Sequence, residues 1–493
     1  MLLNIEKLIY GGDGLARLAA DERGRGKAVF VPFVLAQEKI EAEITEEKPG
    51  FARARAAAIV EPSAHRVAPP CPHFGRCGGC HYQHATYEHQ LEIKKEILRE
   101  NLRRIAKVEL TCEIQVHPSP PWNYRNRSRL QVRTRPSFAA GYFKFGSHEL
   151  LPVEECPISS PLVNRGIAAL WQAGRAGKIP EGVREVEFFA ASDEDGNETQ
   201  VLLEVLCDPE ARRAEVRACA EDLCASMPKV VGVAAFREPR KGVQEPLVAV
   251  GDSYLTYKVK APAHSLSYRV SAGSFFQTNR FLTGELIEMI TAGRSGDLAL
   301  DLYAGVGLFS TALACNFRHT VSVESSQSST GDLQYNLADK GKAVQATAEQ
   351  YLAAPSREGG TPHATNAGAK GVGRKSARAG AGEPSASLRT SAPAKARGGG
   401  TKDRVGNGSV LPHSLHPDLI VVDPPRGGLG DGVARALASA NAPRITYVSC
   451  DPATLARDLV PLQTAGYRVE EVHLVDLFPQ TYHLETVIKL VLR

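Results

Sequence analysis

No run of 18 uncharged residues occurs anywhere in the 493 residues, and acid and base appear together as early as Glu6 and Lys7. The first absence leaves no membrane-spanning helix to expect, and the second leaves no apolar signal region, so the expectation is a cytoplasmic protein without a membrane partner. Regular cysteine spacing is missing too. Ten cysteines are scattered unevenly through a long chain, unlike a secreted disulfide scaffold, so the thiols are expected to be reduced and available for metal binding or catalysis. Nor does the chain carry a general positive charge. Its net +4 comes from residues 351–415, where ten Lys/Arg face three Asp/Glu; the remainder is net negative, and any nucleic-acid surface must be a local cluster.

What is present has the proportions of an ordinary globular protein, 43% hydrophobic and 23% charged, in a chain long enough for two or three domains. Residues 1–60 alternate apolar and polar positions between Gly-rich breaks ("LLNIEKLIY", "KAVFVPFVL", "KIEAEITEEK", "FARARAAAIVE"), a pattern predicting a small OB-like β-barrel. Residues 61–270 predict a mixed α+β middle domain. Within it, Leu91, Ile97, Leu98, Leu102 and Ile105 mark the apolar face of a helix over 85–107. Residues 271–493 alternate apolar strands with helical stretches, an α/β domain. This last domain is interrupted at about 355–411 by a Gly-, Ala-, Ser- and Lys/Arg-rich insertion too poor in large apolar residues to order itself.

Three strand ends in the α/β domain carry chemistry. "LALDLYAGVGLFS" is a strand followed by a glycine turn that opens a helix, and "TVSVES" ends the next strand on Glu324; together they suit an adenosine-containing cofactor, although G-x-G-x-x-G is absent. "LIVVDPPRGGL" delivers Asp423 on a rigid Pro-Pro turn that resembles the acid-Pro-Pro turn beside the methyl donor in S-adenosylmethionine methyltransferases. Arg426 stands where those acting on exocyclic amines carry an aromatic residue, so the resemblance implies against amine methylation. "ITYVSCDPATLARDL" places Cys450 after a strand and just before a helix start, where the helix N-terminus is expected to lower its pKa and make it a nucleophile. Near the C-terminus, Asp476, His483 and Glu485 are all candidate bases. Upstream, "CPHFGRCGGC" presents Cys71, Cys77 and Cys80, a zinc or iron site whose fourth ligand is open among Cys112, Cys156, His73, His81 and His84. "NYRNRSRLQVRTRP" carries Arg125, Arg127, Arg129, Arg133 and Arg135 beside Trp122 and Tyr124, a pattern expected to grip RNA.

The blocks "SFFQTNRF", "DLYAGVGLFS", "DPPRGGL", "SCDPATLARDL" and "HLETV", in this order, resemble the signatures of the RNA uracil-5-methyltransferase family. The N-terminal barrel resembles the TRAM RNA-binding domain of one branch, and the three clustered cysteines with Cys156 of "EECP" resemble that branch's [4Fe–4S] site. The resemblance implies a Rossmann-like S-adenosylmethionine (SAM) methyltransferase domain behind the barrel and middle domain. It makes Cys450 the nucleophile and Glu485 the base, puts Gln277, Tyr303, Glu324 and Asp423 around SAM, and makes Cys71, Cys77, Cys80 and Cys156 cluster ligands. Ala304, Leu308 and Asp451 depart from the residues relatives use there.

The implied reaction is methylation of uracil C5 through a Cys450–C6 adduct, with the target base flipped out and Phe275 or Phe276 supporting it. The expected substrate of this monomer is 23S ribosomal RNA. Transfer RNA is the alternative within the family, and a non-catalytic, redox-responsive RNA-binding protein is the alternative outside it.

Overall fold

The computed structural model describes residues 1–18, 26–227, 229–238, 245–262, 264–353 and 416–493; the insertion at about 355–411 lies outside the described residues. At the N-terminus, Ile40 and Ala42 turn inward while Glu41 and Glu43 face water, and the same alternation along its neighbours yields a six-stranded sheet. Its order is Leu2–Asn4, Lys39–Glu47, Phe51–Glu61, Ala28–Val31, Gly14–Arg17, Lys7–Leu8. The two end strands are successive in the chain, and the residues between them join both edges, Ile5 N–H donating to Glu38 O (2.9 Å) and Glu6 N–H to Leu15 O (2.8 Å). The sheet thus closes into the expected barrel around Leu3, Ile5, Val29, Val31, Val34 and Ile40.

The middle of the chain forms a seven-stranded sheet in the order Leu150–Pro152, Ala139–Phe143, Arg127–Arg133, Val183–Ser192, Glu198–Cys207, Val230–Arg237, Glu245–Gly251. Helices Pro161–Arg175 and Arg213–Ser226 cover it, with Leu130, Leu170, Phe188, Leu203 and Leu223 in the shared core. A hairpin of Tyr254–Ala261 and His264–Ser271 leads from it into the C-terminal sheet.

That eight-stranded sheet positions the site. Its parallel strands Lys342–Gln345, Phe317–Glu324, Gly296–Leu302, Leu419–Val422 and Arg444–Ser449 lie in this spatial order, followed by antiparallel Glu485–Leu492, then Tyr467–Val475 and Ile114–His117. The chain order doubles back at Gly296–Leu302, so a crevice opens at the carboxyl ends where an open α/β sheet binds ligands. Ile114–His117, although it lies within 61–270, is the edge strand of this sheet, and helix Tyr87–Asn101 packs beside Pro452–Thr464.

The helix departs from its expected pattern at its end. Leu102–Ala106 is a π turn, whose i→i+5 bonding takes an additional residue per turn, so Leu102 and Ala106 are buried while Ile105 is 40% exposed. No described helix is long and apolar enough to cross a membrane.

Candidate active site

Three neighbouring strands end on functional groups. Val422 is followed by Asp423 and Ser449 by Cys450, and the antiparallel strand starting at Glu485 pairs Thr486 with Ser449, which sets Glu485 beside Cys450 at the same rim. These residues and Gln277, Tyr303 and Glu324 line one open cavity of about 740 Å³. The structure therefore brings together all six residues expected to hold SAM or act on the base.

Backbone geometry shapes the cofactor half. Tyr303 turns out of its strand at φ +65°, and Gly305 and Gly307 follow at +56° and +95°. A non-glycine residue in this region costs about 1–3 kcal/mol, held here by the packing around it. The turn frees the Gly305 N–H to donate to Glu324 Oε2 (3.0 Å), while Ser326 N–H donates to Oε1 (2.6 Å). Glu324 is thus fixed at the rim.

The cavity is acidic. Among the described residues lining it, Glu324, Glu349, Asp423 and Glu485 face a single Lys/Arg side chain, Arg426. Burial, reinforced by the neighbouring Asp301, pushes the Asp423 carboxyl up to about 7; burial and Asp423 raise Glu485 well above the usual carboxylate range. Asp301 itself, buried and accepting from Ser310 Oγ (2.5 Å), is also pushed up to about 7, chiefly by burial. A crowd of buried, mutually repelling carboxylates is complementary to a ligand carrying positive charge.

Cys450 differs from expectation. Burial, with Glu485 and Asp423 adding to it, pushes its thiol up to about 12, and only Arg426 opposes. The helix N-terminus expected to lower it is already occupied: Asp451 caps the helix, accepting from Ala453 N–H (3.0 Å) and Thr454 N–H (2.9 Å).

Geometry also separates the candidate bases. Asp476 is buried away from the cavity, accepting from Lys94 Nζ (2.6 Å) and Tyr87 Oη (2.9 Å). His483 does line the cavity, but burial and Arg426 hold its pKa down at about 3, so it is neutral at physiological pH. Of the two phenylalanines, Phe276 is core, packed on Tyr257 and Tyr268, whereas Phe275 is 60% exposed at the cavity mouth. Residues missed in the sequence complete the lining: Thr347 and Glu349, which follow the strand Lys342–Gln345, and Phe478. The first two were legible as one more strand end in the crevice; Phe478 belongs to a loop with no such signal.

The arginines expected to grip RNA are in part paired within the protein, while Arg133 is exposed and Arg135 stays 77% exposed beside its acid. Arg127 makes ion pairs with Glu187 and Glu204, Arg129 with Glu185 and Glu187, and Arg135 with Glu181. The acids that pair with Arg127 and Arg129 arrive from strands more than fifty positions away. Tyr124 is buried with its hydroxyl donating to Pro479 O (3.0 Å), and Trp122 packs beside Cys80 and Cys156.

Cys71, Cys77, Cys80 and Cys156 line a second, smaller cavity, which Cys112 does not reach. Among the described residues no group of three or more His, Cys, Asp or Glu side chains is arranged to hold a metal ion. Arg125 lines the same cavity; its Nε donates to Arg127 O (2.9 Å), and no described carboxylate pairs with it.

A twisted parallel sheet with an acidic crevice at its switch point, behind an N-terminal barrel, defines a TRAM-bearing protein with a SAM-dependent methyltransferase fold. The comparisons narrow the class: the chain belongs to the tRNA (uracil-5-)-methyltransferase family, whose model matches residues 86–351 and 409–493, and the TRAM model matches 1–57. It is an RNA methyltransferase, a transferase of the EC 2.1.1 class. The family match passes over 352–408, most of the expected insertion. A Streptomyces avermitilis protein described as an uncharacterized RNA methyltransferase is 30% identical, aligned over 98% of this chain and 96% of its own. A similarly described Aquifex aeolicus protein is 28% identical over 98% and 97%. The Pyrococcus abyssi tRNA (uracil-54, C5)-methyltransferase, solved with S-adenosyl-L-homocysteine, shares the fold over the full length of both chains, with TM-score 0.66 and 22% identity.

Proposed function

We propose that this enzyme methylates uracil C5 in RNA through a covalent adduct on Cys450. The observation that supports it is the placement of Cys450, Asp423 and Glu485 on three adjoining strand ends facing one cavity. Bound SAM supplies an electrophilic methyl group. Uracil C5 is too weak a nucleophile to take it directly. Addition of the Cys450 sulfur to C6, with the thiol proton passing to a carboxylate of the cavity, makes C5 an enolate-like carbon that accepts the methyl. Glu485 then removes the C5 proton, and elimination of Cys450 restores the C5–C6 double bond. The thiol's raised pKa is compatible with this sequence because its proton leaves as the sulfur adds, next to carboxylates that a bound cation returns to their ionised, proton-accepting form. Gln277, Tyr303, Glu324 and Asp423 are proposed to hold SAM, and exposed Phe275 to stack on the flipped base or its neighbour.

The four cysteines are proposed to hold a [4Fe–4S] cluster. A cubane takes one thiolate at each of four corners, and the four sulfurs lining one cavity supply that number. The cluster with four thiolates is an anion, and Arg125, without a carboxylate partner, supplies the opposite charge. The site would staple residues 71–80 to 156.

Ribosomal RNA is the proposed substrate, and transfer RNA, named in the family's description, is the second reading. Mass-spectrometric mapping of 5-methyluridine in both RNAs, from cells with and without the protein, tests this. Loss of one ribosomal 5-methyluridine is expected. Loss from transfer RNA alone would replace the substrate, and loss from neither would overturn the activity.

A further inference from the structure

The nucleophile's own loop is tied to the N-terminal barrel. Around Cys450 the polar groups are satisfied one by one. Asp451 N–H donates to Ser449 Oγ (3.2 Å), Ser449 Oγ–H donates to Asp451 O (3.0 Å), and the Asp451 carboxylate caps the following helix. The carbonyl of Cys450 takes its hydrogen bond from Tyr10 Oη at 3.1 Å, across 440 residues of sequence. Tyr10 sits where the barrel turns through Gly11 and Gly12, at φ +107° and +96°. An added Cβ at Gly12 would come within 3.1 Å of His81, so the turn is pressed against the segment just after the cysteine cluster. The Tyr10 ring stands edge-on to Tyr482 (5.5 Å, 90°), and Tyr482 in turn packs on His81 and His483. His483 lines the catalytic cavity; Tyr10 does not.

We infer that Tyr10 is a positioning residue for catalysis: its hydroxyl holds the Cys450 peptide so that Sγ faces the cavity, making the barrel part of the active site as well as an RNA-binding module. Burial keeps this phenol protonated, and hence a donor, throughout the physiological range. A strand-to-helix turn carrying a nucleophile has one carbonyl that neither strand nor helix bonds, and a peptide free to rotate there would swing Sγ away from C6. The inference rests on Cys450 being the nucleophile.

The test is Tyr10→Phe in the full-length protein, which keeps the ring against Tyr482 and removes only the donor. Loss of one hydrogen bond predicts that kcat, and the single-turnover rate of adduct formation on RNA containing 5-fluorouridine, fall about five- to tenfold. KM for RNA and SAM affinity should stay within experimental error, and melting temperature should fall by no more than about 2–4 °C. A purely structural role would instead move melting temperature and RNA affinity together. Unchanged kcat and adduct rate in a folded Tyr10→Phe protein would overturn the inference. Should that variant prove unstable, Tyr482→Leu, which removes the ring contact and keeps the phenol donor, must lower the adduct rate less than Tyr10→Phe does, and the reverse order also overturns it. If the unaltered protein forms no adduct at all, the reading of Cys450 fails, an outcome distinguishable from failure of the Tyr10 inference.

Discussion

At the residue scale, electrostatics decides what each acidic group and thiol can do. Burial pushes Asp423 and the neighbouring Asp301 up to about 7, so the pair gains negative charge as pH rises from 6 to 8. A cationic ligand prefers the ionised form, and SAM affinity is expected to rise about tenfold over this interval, measured by calorimetry. The ligand-free protein should move the other way. A carboxyl raised above its unfolded value stabilises below pH 4, and that contribution is lost as pH rises through 7; the thermal shift produced by SAM should therefore grow with pH. Cys450→Ala is expected to lower turnover more than about a thousandfold while SAM still binds, and 5-fluorouridine RNA should trap an adduct on unaltered protein but not on this variant. Phe275→Ala, removing an exposed ring at the cavity mouth, should lower kcat/KM about five- to hundredfold in steady-state assays, with the core ring of Phe276 untouched.

At the scale of elements, one helix secures the loop that leads to Glu485. Lys94, fully buried on the helix Tyr87–Asn101, donates to Asp476 Oδ1 (2.6 Å) and Phe478 O (3.0 Å); from the same helix Gln90 donates to Gln480 Oε1 (3.0 Å). The last strand begins at Glu485, so the segment held is the one that aims it. Lys94→Met strands the Asp476 carboxylate and should cost about 3–5 kcal/mol, seen as a lower denaturation midpoint. Adding Asp476→Asn should recover part of it, because the uncompensated charge is gone. The helix itself was legible from its spacing. Its buried lysine was not, because a lysine in an amphipathic pattern reads as solvated until its acid, 382 residues on, comes into contact. The pairing of the arginine-rich strand was hidden for the same reason: an acid-free stretch looks cationic, yet sheet pairing sets Arg129 opposite Glu187.

At the scale of the whole molecule, barrel, cysteine module and catalytic loop share one boundary. His81 and Tyr82 N–H groups both donate to Gln480 O (2.8 and 3.0 Å), immediately after Cys80 on one side and five residues before Glu485 on the other. A cluster there would brace the catalytic loop as well as the middle domain. Replacing Cys71, Cys77, Cys80 or Cys156 by Ser should abolish iron, about four atoms per chain, in protein prepared anaerobically, whereas Cys112→Ser should retain it; iron and sulfide analysis with the visible spectrum reads the difference. RNA affinity, by filter binding, is expected to fall more than SAM affinity in the four depleted variants.

The sequence alone determined the α/β class, the barrel and the strand-end positions of Asp423, Cys450 and Glu324, because each depends on local periodicity and on turns written in a few adjacent residues. Tertiary structure decided the rest. Which of Asp476, His483 and Glu485 meet the cavity, that Cys450 has a raised thiol pKa, that Phe275 and not Phe276 is exposed, and that Tyr10 reaches the Cys450 carbonyl are all set by burial and by contacts across hundreds of residues. A group's charge state and reach depend on what surrounds it in space, and the identity of its neighbours in the chain does not encode that.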